Sequence, residues 1–201
     1  IQKVYASYGA YGNGIIFVDD LGSEPGMRYK HLHLGESYFS ENHQGIIDTM
    51  CRAFPMKPRQ LVQYFGDTVP KNIADEVNNP NKAETEYQVL HCIYPRDEYD
   101  PRRKDGKGMA FASLHILLKE EKILRESGYN TFPPAIARYS QYANEVYGRG
   151  PGQLVLPAIK VLNEEKKTVL KQGHRVVDPV LLAYDDGAVG TFSLRAGAIN
   201  P

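Results

Sequence analysis

Apolar positions along this chain come in short runs whose period switches between two and about 3.6, with glycine or proline at most of the switches. Ile15-Ile16-Phe17-Val18, set between the glycines at 12 and 14 and the pair Asp19-Asp20, predicts a short buried strand. Gly22 to Gly26, with Pro25, marks a turn. Tyr29 to Leu34 then alternates, with Lys30, Leu32 and Leu34 on one face and Tyr29, His31 and His33 on the other, as in a half-buried strand. From about Asn42 the spacing of Ile46, Ile47, Met50, Cys51 and Phe54 predicts a helix, capped by Ser40 or Asn42 and stopped by Pro55. Pro58 opens a second, shorter helix with Leu61, Val62 and Phe65 as its apolar stripe and Gly66 just past its end. A further helical turn is predicted over Pro70 to Val77.

Beyond the polar break Asn78-Asn79-Pro80-Asn81 the period returns to two, and Tyr87 to Tyr94 predicts a strand. Pro95 to Lys107 is charged and interrupted by proline, the pattern of a mobile surface loop. Ser113 to Leu118 and Lys122 to Glu126 predict a hairpin about Lys119-Glu120-Glu121. An irregular, aromatic stretch runs through Phe132-Pro133-Pro134 and Arg138-Tyr139. After Tyr147-Gly148-Arg149-Gly150-Pro151-Gly152 a long helix is predicted from Leu154 to about Gln172, with Val155, Ile159, Leu162, Val169 and Leu170 broadly on one side. Pro157 belongs in its first turn and Gly173 ends it on this reading, giving a rod of about 27 Å. Val180 to Tyr184 turns back to strand. The fold class expected is α+β: mixed or antiparallel sheets with short helices, then one long helix and a terminal β segment.

The chain has 201 residues, enough for one substantial domain or two small ones, and its 42% hydrophobic and 24% charged content is that of a globular protein. No run approaches the roughly 20 apolar residues of a membrane span. Cys51 and Cys92 each sit in an apolar run that suits a small hydrophobe, so buried free thiols are expected, as in a reducing compartment. The chain starts at Ile1 and stops at Ala198-Ile199-Asn200-Pro201 without a closing element, which reads as a piece of a longer protein. Lys and Arg together number 24, as do Asp and Glu, for a net charge of zero. That is unlike a protein that grips nucleic acid by neutralising phosphates.

Candidate chemistry is sparse. The glycine-rich turn from Gly148 to Gly152 precedes a helix, where anions are attracted, but lacks the G-x-G-x-x-G spacing and the lysine of a P-loop, and Pro151 removes a donor. His31 and His33 share a strand face, as paired metal ligands must, but the wet face of an amphipathic strand is the reading preferred for them. His91 and Cys92 are adjacent and point to opposite faces; Ser113 and His115 share a face, read as a cross-strand polar pair. A nucleotide- or metal-dependent enzyme using the Gly148–Gly152 turn or His31/His33 is the alternative these features leave open. No catalytic, cofactor or metal residue is assigned. Lys166, Lys167, Lys171 and Arg175 cluster toward one end of the long helix, where cations suit the helix dipole. They are a solvated helix end or, alternatively, contacts for phosphates without base reading.

Phe132-Pro133-Pro134, Arg138-Tyr139, Asn144-Glu145-Val146-Tyr147-Gly148-Arg149-Gly150-Pro151, Leu156-Pro157-Ala158-Ile159-Lys160 and Leu162-Asn163, taken in order, resemble the head-to-tail connector (portal) family of short-tailed bacteriophages. Ala158 departs from the family's usual acidic residue there. Upstream, Gly12-Asn13-Gly14, Gly45-Ile46-Ile47-Asp48, Arg52-Ala53-Phe54, Met56-Lys57-Pro58-Arg59-Gln60, Phe65-Gly66 and His91-Cys92-Ile93-Tyr94-Pro95-Arg96 fit the same pattern; downstream, so do Val177-Asp178-Pro179 and Asp185-Asp186-Gly187. The resemblance implies a structural subunit, not an enzyme, of a dodecameric ring at one capsid vertex of the virion. The ring would form in the host bacterial cytoplasm and pass double-stranded DNA without reading it. It would contact terminase, capsid or scaffold, and tail adaptor proteins, and need no cofactor or membrane. It further implies a wing-like α+β domain over 1–150, a stem helix over 151–176 and the start of the clip over 177–201. Lys166, Lys167, Lys171 and Arg175 would then serve subunit contacts or the DNA channel.

Overall fold

The computed structural model describes residues 1–20, 25–179, 181–182, 193, 195 and 199–200. In chain order the elements are α1 (Gln2–Tyr11), β1 (Asn13–Asp20), β2 (Met27–Leu32), β3 (Ser37–Glu41), β4 (Ile47–Met56), α2 (Pro58–Phe65), α3 (Lys71–Glu76), β5 (Tyr87–Pro95), β6 (Phe111–Leu117), β7 (Lys122–Tyr129), β8 (Pro134–Arg138), α4 (Pro151–Val177), β9 (Leu181–Leu182) and β10 (Ile199–Asn200). The chain divides into a unit over Ile1–Gln153 and a second over Leu154–Pro201. The fold is α+β, with antiparallel sheets, short helices and one long helix. Among the described residues only the short pairing of β9 with β10 is parallel.

In the first unit two antiparallel sheets form, ordered β2-β1-β8 and β3-β4-β5-β6-β7. Alternation puts Met50, Arg52, Phe54 and Met56 of β4 in line with Ile93, His91, Val89 and Tyr87 of β5. One end of that face is covered by Ile15, Phe17 and Leu32 of the smaller sheet, which pack with Phe39, Met50 and Ile93. The other end is covered by α2 and the segment after it, where Leu61, Phe65, Val69 and Ile73 close over Tyr87, Val89, Leu117 and Leu124. Leu61, Met50, Val89, Ile93 and Leu117 are fully buried. Truncating any one of them to alanine would cost about 2–5 kcal/mol, the range for deleting a close-packed core side chain. The Tyr87 hydroxyl donates to Glu76 Oε2 at 2.5 Å, tying α3 to β5 and pushing the phenol pKa up to about 12.

The helix expected from Asn42 is instead the hairpin β3–β4. Asn42 Oδ1 accepts from the backbone N–H groups of Gln44 (2.9 Å) and Ile46 (3.0 Å), and Gly45 takes φ 75°, so the supposed cap is a tight turn. The apolar residues that matched a helical period also match a strand whose two faces are both half-buried, with Met50 fully buried between neighbours. Pairing with both β3 and β5 decides between them. Pro55 lies inside β4, beyond the last β3 partner at Arg52, where a missing N–H interrupts no β3 ladder.

Besides β3 and β10, two elements that carry no clear periodic signal lie outside those the pattern predicts. α1 is weakly amphipathic and ends at Gly12, whose φ of 74° lets its N–H bond the Tyr8 carbonyl. β8 occupies part of the stretch read as irregular and pairs with β1 from Asn13↔Arg138 to Phe17↔Pro134. α2, α3, β5 and the β6–β7 hairpin form where the pattern puts them. α2 begins with Pro58 at its first position, and the Lys57 N–H donates to Gln60 Oε1.

The free thiols expected at Cys51 and Cys92 are also corrected. The two residues are direct partners in the β4–β5 register, their Cα atoms are 4.1 Å apart, and the sulfurs are joined in a disulfide. Cys92 lies in the strand expected, whereas Cys51 falls in the segment expected as a helix; only with that segment as β4 does the register set the two opposite each other.

In the second unit α4 is longer than predicted. Pro157 is its seventh residue, outside the first turn, and leaves the Gln153 carbonyl without its usual helical donor. Gly173 does not end it. The helix runs on to Val177, stops before Pro179, and has its last turn closed by Asp178 N–H to His174 O at 2.8 Å. Its 27 residues measure about 40 Å. The strand expected over Val180 to Tyr184 is described only at Leu181–Leu182; its other residues lie outside the described ones.

Candidate functional site

The glycine-rich turn before α4 is a mechanical joint within the first unit. Asn13, 2% exposed, donates from Nδ2 to Gly148 O and accepts at Oδ1 from Gly148 N–H, both at 2.8 Å, and also donates to Tyr11 O. A Cβ on Gly12 would stand 2.2 Å from Gly150 N, and one on Gly150 would stand 2.4 Å from Gly12 N. Two chain segments therefore cross at backbone contact, which only glycine permits. The turn's amides are already engaged: Arg149 N–H donates to Ser140 O and Gly150 N–H to Gln153 Oε1. No phosphate cradle is left among them. Arg138 fastens the same region, with its guanidinium on Glu41 and on the carbonyls of Val146 and Gly45.

His31 and His33 are not brought together as ligands. His31 lies on β2 with Nε2 at 3.0 Å from Ser7 Oγ; burial, then the charges of His33 and Lys3, hold it below its ordinary pKa. His33 follows the strand, and its Nδ1 accepts from Gly35 N–H. Among the described residues no group of three or more His, Cys, Asp or Glu could hold a metal ion. Ser113 and His115 share the face predicted, but the hydroxyl pairs with His91 Nε2 at 2.9 Å, and the His91 and His115 rings stack 3.9 Å apart.

The four basic residues singled out on α4 do not form one patch. Lys167, Lys171 and Arg175 are four apart and fall within roughly 80° around the axis. Lys167 pairs with Glu164 at 3.2 Å. Lys166 points elsewhere. It sits in the middle of an arc of roughly 100° holding Val155, Ile159, Leu162, Val169 and Leu170. That apolar arc is bare: the five side chains are between 44% (Ile159) and 66% (Val169, Leu170) exposed, and α4 has no buried residue. A second apolar surface lies in the first unit. The outer face of the five-stranded sheet carries half-buried Leu90, Leu114 and Ile116 beside exposed Tyr38 and Ile123. The apolar side of α4 is the one read from the sequence; the bonding of Asn13 and the outer face of the sheet are what sequence reasoning missed. A polar residue wedged between glycines at the start of an apolar strand was the available signal for Asn13.

The family model described as bacteriophage head to tail connecting protein matches residues 1–201. The chain belongs to this family. It is 31% identical over 187 residues to the portal protein of Salmonella phage epsilon15, covering 91% of this chain and 33% of that protein. It is 28% identical over 169 residues to the probable portal protein of Bordetella phage BPP-1, covering 83% of this chain and 30% of that protein. The chain thus spans about a third of the length of the curated relatives it matches. Membership bears out the resemblance read from the ordered motifs, and several of them, Gly12-Asn13-Gly14, Arg138 and Gly148 to Gly152, are the parts of the joint just described. No described helix is long and apolar enough to cross a membrane.

Proposed function

We propose that this chain is the wing, first stem helix and beginning of the clip of a portal subunit, over 1–150, 151–176 and 177–201 respectively. Its role is structural rather than enzymatic. The observation that carries this reading is α4: a helix of 27 residues with an apolar arc and no buried side chain. In water such a helix needs neighbours to cover it, since most helical stability comes from packing of the apolar face. Copies of the same chain supply them when head-to-tail contacts close into a ring.

In the dodecameric ring proposed, double-stranded DNA passes through a central channel without being read. A conduit must not hold its cargo, because each phosphate contact adds affinity, and a chain of zero net charge suits that job. Lys166, by its place in the apolar arc, serves contacts between subunits. Lys167, Lys171 and Arg175, on the polar side, face the channel. Terminase, capsid or scaffold, and tail adaptor proteins are the partners of such a ring, and the portal vertex of the virion, assembled in the host cytoplasm, is its place.

Light scattering and negative-stain microscopy of the full-length parent protein test this. The expected result is a twelve-fold ring with a central hole. A monomer or dimer at working concentration would overturn the reading.

A further inference from the structure

The five-stranded sheet is covered at both ends of one face, and the two covers do not meet. Between the smaller sheet and α2 a cavity of about 480 Å3 remains, within the usual range for small-molecule sites. Its floor is a single cross-strand row, Arg52–His91–His115, in register from β4 to β6.

Two features of the lining agree on what it would hold. Phe17, Tyr29, Phe54, Tyr64 and Tyr129 supply aromatic walls over the stacked His91 and His115 rings. The charges are also out of balance. Arg28 pairs with Asp19 at 3.0 Å and Arg52 with Glu36 at 2.8 Å, whereas Lys30, at the mouth, makes no ion pair with any described residue. Burial first, then the neighbouring Arg52 and Arg28, holds the Lys30 ammonium below its ordinary pKa. A negative group in the cavity would relieve that repulsion.

We propose that this cavity is a binding site for a small aromatic acid, its ring among the aromatic walls and its carboxylate between Lys30 and Arg52. The ring would lie over the stacked imidazoles of His91 and His115. Such a ligand would join the two cores across the seam and so stiffen the first unit.

Calorimetric titration of the 201-residue chain with naphthoate tests the proposal. One molecule should bind per chain, and Lys30→Gln, a change at the exposed mouth, should weaken binding by roughly tenfold or more while the circular dichroism stays the same. Leu170→Ser, on the bare helix face, should leave affinity unchanged. The proposal is overturned if naphthoate does not bind at millimolar concentration, if Lys30→Gln binds as well as the parent, or if Leu170→Ser abolishes binding, since the ligand would then sit on α4.

Discussion

The side chain of Asn13 and the main chain of Gly148 bond in both directions, donor to carbonyl and amide to acceptor, each at 2.8 Å, across a sequence separation of 135. An asparagine amide can imitate a strand partner in this way because its oxygen and nitrogen repeat the spacing of a peptide group. The bond closes β1 onto the turn that starts α4, deep enough that water cannot substitute. Asn13→Ala would leave the Gly148 amide and carbonyl buried without partners and should cost about 2–4 kcal/mol. Urea unfolding of the 201-residue chain would show this as a lower midpoint at unchanged slope. A midpoint equal to that of the parent would sink the idea.

Glycine substitutions should separate into opposite classes. Gly12→Ala adds a Cβ 2.2 Å from Gly150 N at a residue whose φ is 74°, so both the contact and the backbone resist it. Gly150→Ala meets Gly12 N at 2.4 Å. Each should reduce soluble yield or lower the melting temperature by several degrees. Gly173→Ala meets nothing within 4 Å and lies inside α4, where alanine is favoured by about 0.5–1 kcal/mol. It should leave the first unit's melting unchanged and raise helical ellipticity. Equal effects from all three would mean that the crossing at Gly12 and Gly150 is not close.

These contacts explain which parts of the fold could be read in advance. Where period and punctuation agree, as in Pro58 to Gly66 or Tyr87 to Tyr94, local sequence decides the element. β4 was misread because Ile46, Ile47, Met50, Cys51 and Phe54 satisfy two periods at once, and the tie is broken by β3 and β5, neighbours that a linear reading does not supply. α1 and β8 depend on β1 for their place, and the disulfide depends on the β4–β5 register. In the candidate site the lysines were legible as a cluster. Their division around the axis follows from helical spacing over the predicted helix itself; only the place of Arg175 depends on the helix running on past Gly173.

The stacked imidazoles of His91 and His115 predict acid sensitivity. Burial is the main cause at both, holding them to about 3 and about 4, with His115, Arg52 and Lys30 adding to it at His91 and Arg125 at His115. Tyr64, Tyr129, Arg28, Lys30 and Arg52 line the same space, and its one carboxylate, Asp19, is paired with Arg28. Both folded-state values lie below the ordinary 6.5, so the unfolded chain binds protons that the folded chain refuses. Stability is therefore fully present above about pH 6.5 and is lost as pH falls toward 4. The loss should reach on the order of 1–2 kcal/mol per imidazole by about pH 5. Urea midpoints measured across that range, for the parent and for His115→Leu, would show it; a variant as steeply pH-dependent as the parent would count against the pair.

The disulfide predicts a covalent signature. Unreduced protein should show no reactive thiol under denaturing conditions, and a mass two hydrogens lower than the reduced form. A 41-residue separation implies about 4 kcal/mol of stabilisation on the loop-entropy account. The β4–β5 ladder continues on either side of the bridge, so Cys51→Ala/Cys92→Ala should remain folded with a lower urea midpoint. Two titratable thiols in unreduced, denatured protein would show that the strands pair without the bond.

The placement of the lysines on α4 turns one hypothesis into two separable ones. Lys166 lies among Val155, Ile159, Leu162, Val169 and Leu170, the side chains that need a neighbour, whereas Lys167 and Lys171 lie on the opposite, polar side. A cation within an apolar contact must reach a partner's acceptor or snorkel to its rim, so Lys166→Gln in the full-length parent should change the yield or symmetry of rings. Lys167→Gln/Lys171→Gln should leave assembly intact, because both residues are exposed and, among the described residues, only Lys167 has an ion partner, Glu164, worth well under about 1 kcal/mol at such a surface. If those two face the DNA, their loss should alter the salt dependence and rate of packaging instead, each phosphate contact contributing a slope of roughly 0.9 in log affinity against log salt. Ring yield from electron micrographs and packaging measured at several salt concentrations separate the two roles. Rings and packaging that survive neutralisation of Lys166, Lys167 and Lys171 together would remove these side chains from both.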